Sequence, residues 1–337
     1  MICIGVDAHQ SFSTLFAVDY ETGEVLLDLD KVPTMPAAFA SALGEGFSEA
    51  IAVVEASTIS CFVVEMLRPL VAKTVIADPK VMRQSVPHGR AKTDRNDARE
   101  LARQLQAGLI SEVFQHTPDG LARRALTRST QNVTRTGTKL RSQLRSLLRI
   151  WGVRCPYRNL TGRSAEHFMQ ELQLDGPAQT AAAELYRLLQ EVESSRQALK
   201  QQIRTEGKRL SEVQLLQSLP GIGPELALRI ASELGDIKRF PTEGGFVNYC
   251  GLAPRVEQSG NRRHVGKLVK GNGYLKDALC QGANAIANNY RGNSPLHELY
   301  RSSLRRLGRK KACLLVARKM ARTVWQMLRR NEPYRYA

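Results

Sequence analysis

The sequence lacks three things. Nowhere in its 337 residues is there an apolar run long enough to cross a bilayer, and no basic-then-apolar leader opens it. The expectation is a protein neither secreted nor membrane-bound, working in the cytoplasm. The six cysteines (Cys3, Cys61, Cys155, Cys250, Cys280, Cys313) are scattered without paired metal-ligand spacing, which argues against zinc and against disulfides and fits buried thiols in a reducing cytoplasm. Aromatic residues are few, at 6%. Tyr249, Tyr274 and Tyr290 can serve as stacking residues for bases, although core packing explains each better.

Acids are also outnumbered, and unevenly so. The net charge is +17, but residues 1–100 hold 9 Lys/Arg against 14 Asp/Glu, while the remainder holds 40 against 18. An acidic first part followed by a strongly basic remainder separates two jobs: chemistry first, polyanion binding second.

Hydrophobic periodicity gives the organisation. Residues 2–7, 12–19 and 23–30 read as an antiparallel meander with a turn at Glu21-Thr22-Gly23. A helix over 36–46, the apolar strand "IAVV" (51–54), a helix over 59–70 and the strand "KTVIAD" follow, predicting a mixed sheet flanked by helices. From 118 to 151 the pattern is helical and basic, with a stripe at Leu121, Leu126, Leu140, Leu144, Leu147 and Leu148. A second long helix over 178–210 carries Leu185, Leu188, Leu189, Val192, Leu199 and Ile203. Together they predict an antiparallel helical arm, for oligomerisation or for intramolecular packing. "LLQSLPGIGPELALRIASELG" (215–235) reads as a helix-hairpin-helix. Its Gly221 and Gly223 allow the backbone close to a phosphate at the next helix N-terminus, or make an ordinary tight turn. Residues 255–270 read as a glycine-punctuated hairpin or loop, and the tail as a basic amphipathic helix. The expected domains are 1–115, 116–212 and 213–337.

The chemistry is concentrated in "HGRAKTDRNDARELARQL" (88–105). Asp94 and Asp97, three apart, share one helix face, amid Arg90, Lys92, Arg95 and Arg99. Two carboxylates held together repel unless a cation lies between them or one is protonated. A hard divalent ion such as Mg²⁺ suits them, and the cations can then hold a nucleic-acid backbone over it. Asp7 and Glu55 each end a buried apolar strand. If those strands are adjacent, four carboxylates meet at one sheet edge, a set able to hold one or two metals for phosphoryl transfer. Singly, each acid is explained as a turn or cap residue. Asp94 can cap its helix, and Arg99 can pair with Asp97. Asp19, Asp28, Asp30, Asp78 and Glu100 rank lower, because none joins a strand end to a cationic helix.

The segments "IGVDAH", "AVVEAS", "KTDRNDA", "LPGIGP" and "YCGLAPRVEQSGNRRHVGKLVKGNGYLKDAL", in that order, resemble the DEDD transposases of insertion sequences. That family includes Piv-type DNA invertases and bridge-RNA-guided recombinases, and the resemblance runs over nearly the whole chain. It implies an α/β ribonuclease-H-like (RuvC-like) N-terminal domain, a helical coiled-coil arm and a mainly α C-terminal transposase domain. It implies that Asp7, Glu55, Asp94 and Asp97 bind Mg²⁺ and that Ser259 is the nucleophile, forming a phosphoserine link. It further implies a structured guide RNA pairing with target and donor DNA, dimers or tetramers built through the arms, and work at the nucleoid. Ala8-His9 and Lys276 depart from the family pattern, where a Ser-Lys-type pair and an arginine are usual. A serine hydroxyl needs a base or metal to attack. Arg262, Arg263, His264, Lys267 and Lys270 can neutralise the phosphate as charge develops. Two other classes fit the same residues: a metal-only junction endonuclease in which Ser259 is a turn, and a non-enzymatic nucleic-acid binder.

Overall fold

The computed structural model describes residues 1–79, 93–259, 262–289 and 294–335, and for 256–259, 262–265 and 289 it describes the backbone alone. The chain divides into two compact units, Met1–His116 and Thr117–Ala337.

The first unit is a five-stranded sheet in the order β3-β2-β1-β4-β5, made of β1 (Ile2–Ala8), β2 (Phe12–Asp19), β3 (Val25–Pro33), β4 (Ile51–Glu55) and β5 (Lys73–Ala77). β1, β2 and β3 pair antiparallel, while β1–β4 and β4–β5 are parallel. Helices α1 (Pro36–Leu43) and α2 (Ser60–Leu67) cover one face through Ile4, Val6, Phe39, Val54, Val63 and Leu67. α1 stops three residues earlier than its apolar pattern suggests, because Gly44 takes φ 55°, a conformation glycine adopts without penalty.

Helix α3 (Asp94–Gln106) covers the other face. Ala98, Leu101 and Ala102 meet Cys3, Phe16, Val18, Val53 and Val75. Its start is set by Thr93, whose side chain accepts a hydrogen bond from the Asn96 amide; the cap is therefore Thr93 and not Asp94. Gly5 fixes how deep the helix sits. A Cβ there would lie 1.9 Å from the Ala98 carbonyl oxygen and 2.7 Å from the Ala102 nitrogen, so α3 rests directly on the β1 backbone.

In the second unit, α4 (Pro118–Ile150) and α6 (Pro177–Lys208) run antiparallel. Leu144 and Leu148 near the end of α4 pack on Ala182, Tyr186 and Leu189 near the start of α6, and Arg141 pairs with Glu193 at 2.9 Å. α4 opens with Thr117 as cap and Pro118 in its first turn, where the missing proline N–H costs nothing. Short α5 (Arg163–Glu171) joins the pair. The helices α7 (Ser211–Gln217), α8 (Pro224–Leu234), α9 (Glu243–Tyr249), α10 (Gly273–Asn289) and α11 (Pro295–Arg330) enclose the largest core, including Leu216, Ile230, Phe246, Leu279 and Val316. α11 kinks at Gly308, where φ is 72°. The hairpin β6 (Pro254–Ser259) and β7 (Arg262–Leu268) stands between α9 and α10 in sequence. Among the described residues, no helix is long and apolar enough to cross a membrane.

Candidate metal centre

Strand alternation aims the first two acids. Cys3 and Gly5 of β1 face α3, and by period two so does Asp7. In β4, Ile51 and Val53 pack toward α3, and by the same alternation so does Glu55. Val6 and Val54 are register partners on adjacent parallel strands, so Asp7 and Glu55 follow side by side at the strands' carboxyl ends. α3 starts over that edge, with Asp94 and Asp97 in its first turn, where the positive end of the helix dipole favours carboxylates.

The structure also brings in a group that the sequence reading noted only as a departure. His9 Nε2 lies 3.4 Å from Asp7 Oδ2 and 3.5 Å from Asp94 Oδ2. Ligand atoms of Asp7, His9 and Asp94 all fall within 4.8 Å of one another. The β1–β2 turn holds His9: its amide donates to the Phe12 carbonyl at 3.0 Å, and its carbonyl accepts from Thr34 Oγ1 at 2.8 Å. Burial first, and then the charges of Asp94, Asp97 and Glu55, raise the Asp7 carboxyl to about 6 against the opposing pull of His9. All four acids are thus electrostatically coupled at Asp7. Their shared negative charge in a half-buried, oxygen-rich edge fits a hard divalent cation.

The neighbouring cations have another partner. Arg95 Nε donates to Asp28 Oδ1 at 2.7 Å, and Arg99 donates to Asp28 Oδ2. Hydrogen bonds from these two arginines outweigh burial and hold the Asp28 carboxyl below its usual range. Arg99 therefore pairs with Asp28 and not with Asp97, and Asp28 ties the first turns of α3 to β3. Arg95 remains half exposed at 50%. Arg90 and Lys92 lie outside the described residues.

The remaining expected contacts all lie in the second unit. Gly221 is packed, with φ +84° and its Cβ position 2.5 Å from the Gly282 carbonyl oxygen of α10. That glycine serves helix-to-helix contact. Gly223 precedes α8 as its cap residue and faces open space. Ser259 ends β6 as the register partner of Arg262, and Gln258 pairs with Arg263; their side chains lie outside the described set, as does that of His264. Lys267 and Lys270 are exposed.

Two family models match this chain: that of the DEDD IS110 transposases, described as a transposase, over residues 4–151, and the transposase IS116/IS110/IS902 family over residues 213–301. Between them they match residues in both units. The chain belongs to the DEDD transposases of insertion sequences. Similar proteins include the transposase for insertion sequence element IS1111A of Coxiella burnetii, 27% identical over 255 residues, 72% of this chain and 68% of that one. A probable family 20 transposase of Pseudomonas aeruginosa is 26% identical over 253 residues, 72% of this chain and 74% of its own. The pilin gene-inverting protein of Moraxella bovis is 27% identical over 124 residues, 36% of this chain and 38% of its own.

Proposed function

We propose that this transposase breaks and rejoins DNA with four acids and a serine. Asp7, Glu55, Asp94 and Asp97 hold Mg²⁺ at the sheet edge, within a ribonuclease-H-like domain. The observation that carries the reading is the convergence of Asp7 and Asp94 on His9, with Glu55 and Asp97 coupled to the same carboxyl. The strand order and the seating of α3 on one face support the fold reading. A divalent cation held there supplies charge stabilisation at the phosphate oxygens.

Ser259 supplies the nucleophile. Its Oγ forms a bond to the scissile phosphorus, the bond from phosphorus to the deoxyribose oxygen breaks, and the serine proton passes to a base while the leaving oxygen gains one. The reverse attack by a strand hydroxyl reseals the DNA and frees the serine. A structured guide RNA pairs with target and donor DNA, while the protein reads shape and backbone. The net +22 of residues 101–337 suits both nucleic acids. Copies of the chain assemble as dimers or tetramers through α4 and α6, at the nucleoid.

The test is a labelled branched DNA incubated with wild type and Ser259→Ala. Covalent protein–DNA adducts form with wild type and vanish with Ser259→Ala, while DNA binding stays. Protein-free cleavage by both proteins instead establishes a metal-only endonuclease. Sequencing RNA that copurifies with the protein tests the guide.

A further inference from the structure

The second unit contains a cleft of about 650 Å³. Its walls gather three of the chain's few aromatic rings, Phe240, Tyr249 and Tyr274, with Arg128, Lys270 and the turn Gly271-Asn272-Gly273. The Arg128 guanidinium lies 4.2 Å from the Tyr274 ring centre, and that of Arg239 lies 4.5 Å from Tyr249 and from Phe240.

Behind the wall sits Glu233, wholly buried. It accepts from Arg128 Nε at 2.6 Å and from Asn272 Nδ2 at 2.9 Å, with Arg124 at 3.4 Å. Burial pushes its carboxyl up, and these donors outweigh that and hold it ionised. Glu233 therefore fixes Arg128 and Asn272 in place while keeping its own charge away from the opening, which stays cationic through Lys270. Asn272 also accepts from the Tyr274 and Leu275 amides at 3.0 and 3.1 Å, and Gly271 packs on the Gly251 backbone so closely that a Cβ would lie 2.4 Å from its nitrogen. The turn is closely packed and hydrogen-bonded, and it leads into the N-terminus of the 17-residue α10.

A cation-backed aromatic wall, its Phe240 and Tyr249 rings tilted 49° to each other, beside a lysine and a helix N-terminus suits a base joined to a phosphate. The volume suits one such group and is too small for a duplex. We propose that this cleft binds a single unpaired nucleotide of a nucleic-acid strand, its base against Tyr249 and Tyr274 and its phosphate at Lys270. The choice of a strand as ligand rests on the transposase reading.

The test measures binding of short oligo-dT, oligo-rU and an abasic strand of equal length to wild type, Tyr274→Leu and Tyr274→Phe. Tyr274→Leu is expected to weaken base-bearing strands about tenfold and leave the abasic strand unchanged, while Tyr274→Phe stays within about twofold of wild type. An effect on oligo-dT or on oligo-rU alone assigns the strand as DNA or RNA. Photocrosslinking of 5-iodouracil strands to the wild type should label Tyr249 or Tyr274. Equal weakening of base-bearing and abasic strands, or crosslinks confined to other segments, overturns the pocket and leaves the transposase reading standing. Failure of the wild type to bind any strand overturns both.

Discussion

Gly5→Ala is the substitution that most sharply probes how the carboxylate edge is built. The new methyl would stand 1.9 Å from the Ala98 carbonyl oxygen and 2.7 Å from the Ala102 nitrogen. Both are backbone atoms of α3, so no side-chain rotation relieves the clash. Restoring ordinary contact requires about 1.5 Å of separation between β1 and α3. Asp94 and Asp97 stand within one turn of Ala98 and move with it, while Asp7 stays on β1. A misplacement of about 1 Å in a catalytic constellation costs on the order of 100-fold, and overpacking a core contact costs roughly 1–3 kcal/mol. The expectation is a cleavage rate on labelled branched DNA lowered at least about 100-fold, with a melting temperature lowered by roughly 10 °C. Gly46→Ala, where the added methyl meets open space, is the control and is expected to be silent. Wild-type cleavage and melting in Gly5→Ala would refute the claim that α3 seated on Gly5 positions the acids.

Two further perturbations follow from the charges. The Asp7 carboxyl is raised to about 6 from an ordinary 3.8 by burial first, so the native state binds this proton more tightly than the unfolded chain does. Without divalent metal, stability is then lost as pH rises from about 4 to about 6, by up to roughly 3 kcal/mol. Melting curves in chelator should show that slope, and Asp7→Asn should flatten it; an unchanged slope refutes the assignment. In the second unit, Arg128→Met removes the shortest partner of wholly buried Glu233. It should cost roughly 3 kcal/mol of stability in denaturant titration, and a neutral result would show that Arg124 and Asn272 suffice.

What the sequence disclosed about this edge is what depends on local pattern. Asp7 shares parity with Cys3 and Gly5, and Glu55 with Ile51 and Val53, so period-two alternation on two short strands already points both acids one way. The long helices were legible from their leucines, although α4 also buries Thr127, Thr130, Gln131 and Gly137. Thr127 and Thr130 can be buried there because each hydroxyl donates to a carbonyl of its own helix, Arg124 and Leu126. Contacts between distant residues stayed hidden. Asp28 captures Arg95 and Arg99 across 67 and 71 positions, which turned cations expected to face a phosphate into the clasp that holds α3. Glu233 in "RIASELG" has the look of a surface glutamate, and its burial depends on arginines more than a hundred positions away. His9 carried no pattern beyond standing two residues after Asp7. Geometry alone revealed that it bridges two of the acids.

The most direct measurement of the metal centre is a Mn²⁺ titration followed by electron paramagnetic resonance, with DNA bound, on wild type, Asp7→Asn and Asp94→Asn. Manganese replaces magnesium at oxygen-rich sites. A saturable ion signal in wild type that weakens in both variants, together with their loss of strand cleavage, is the predicted result. Undiminished ion binding and cleavage in both variants would contradict the account.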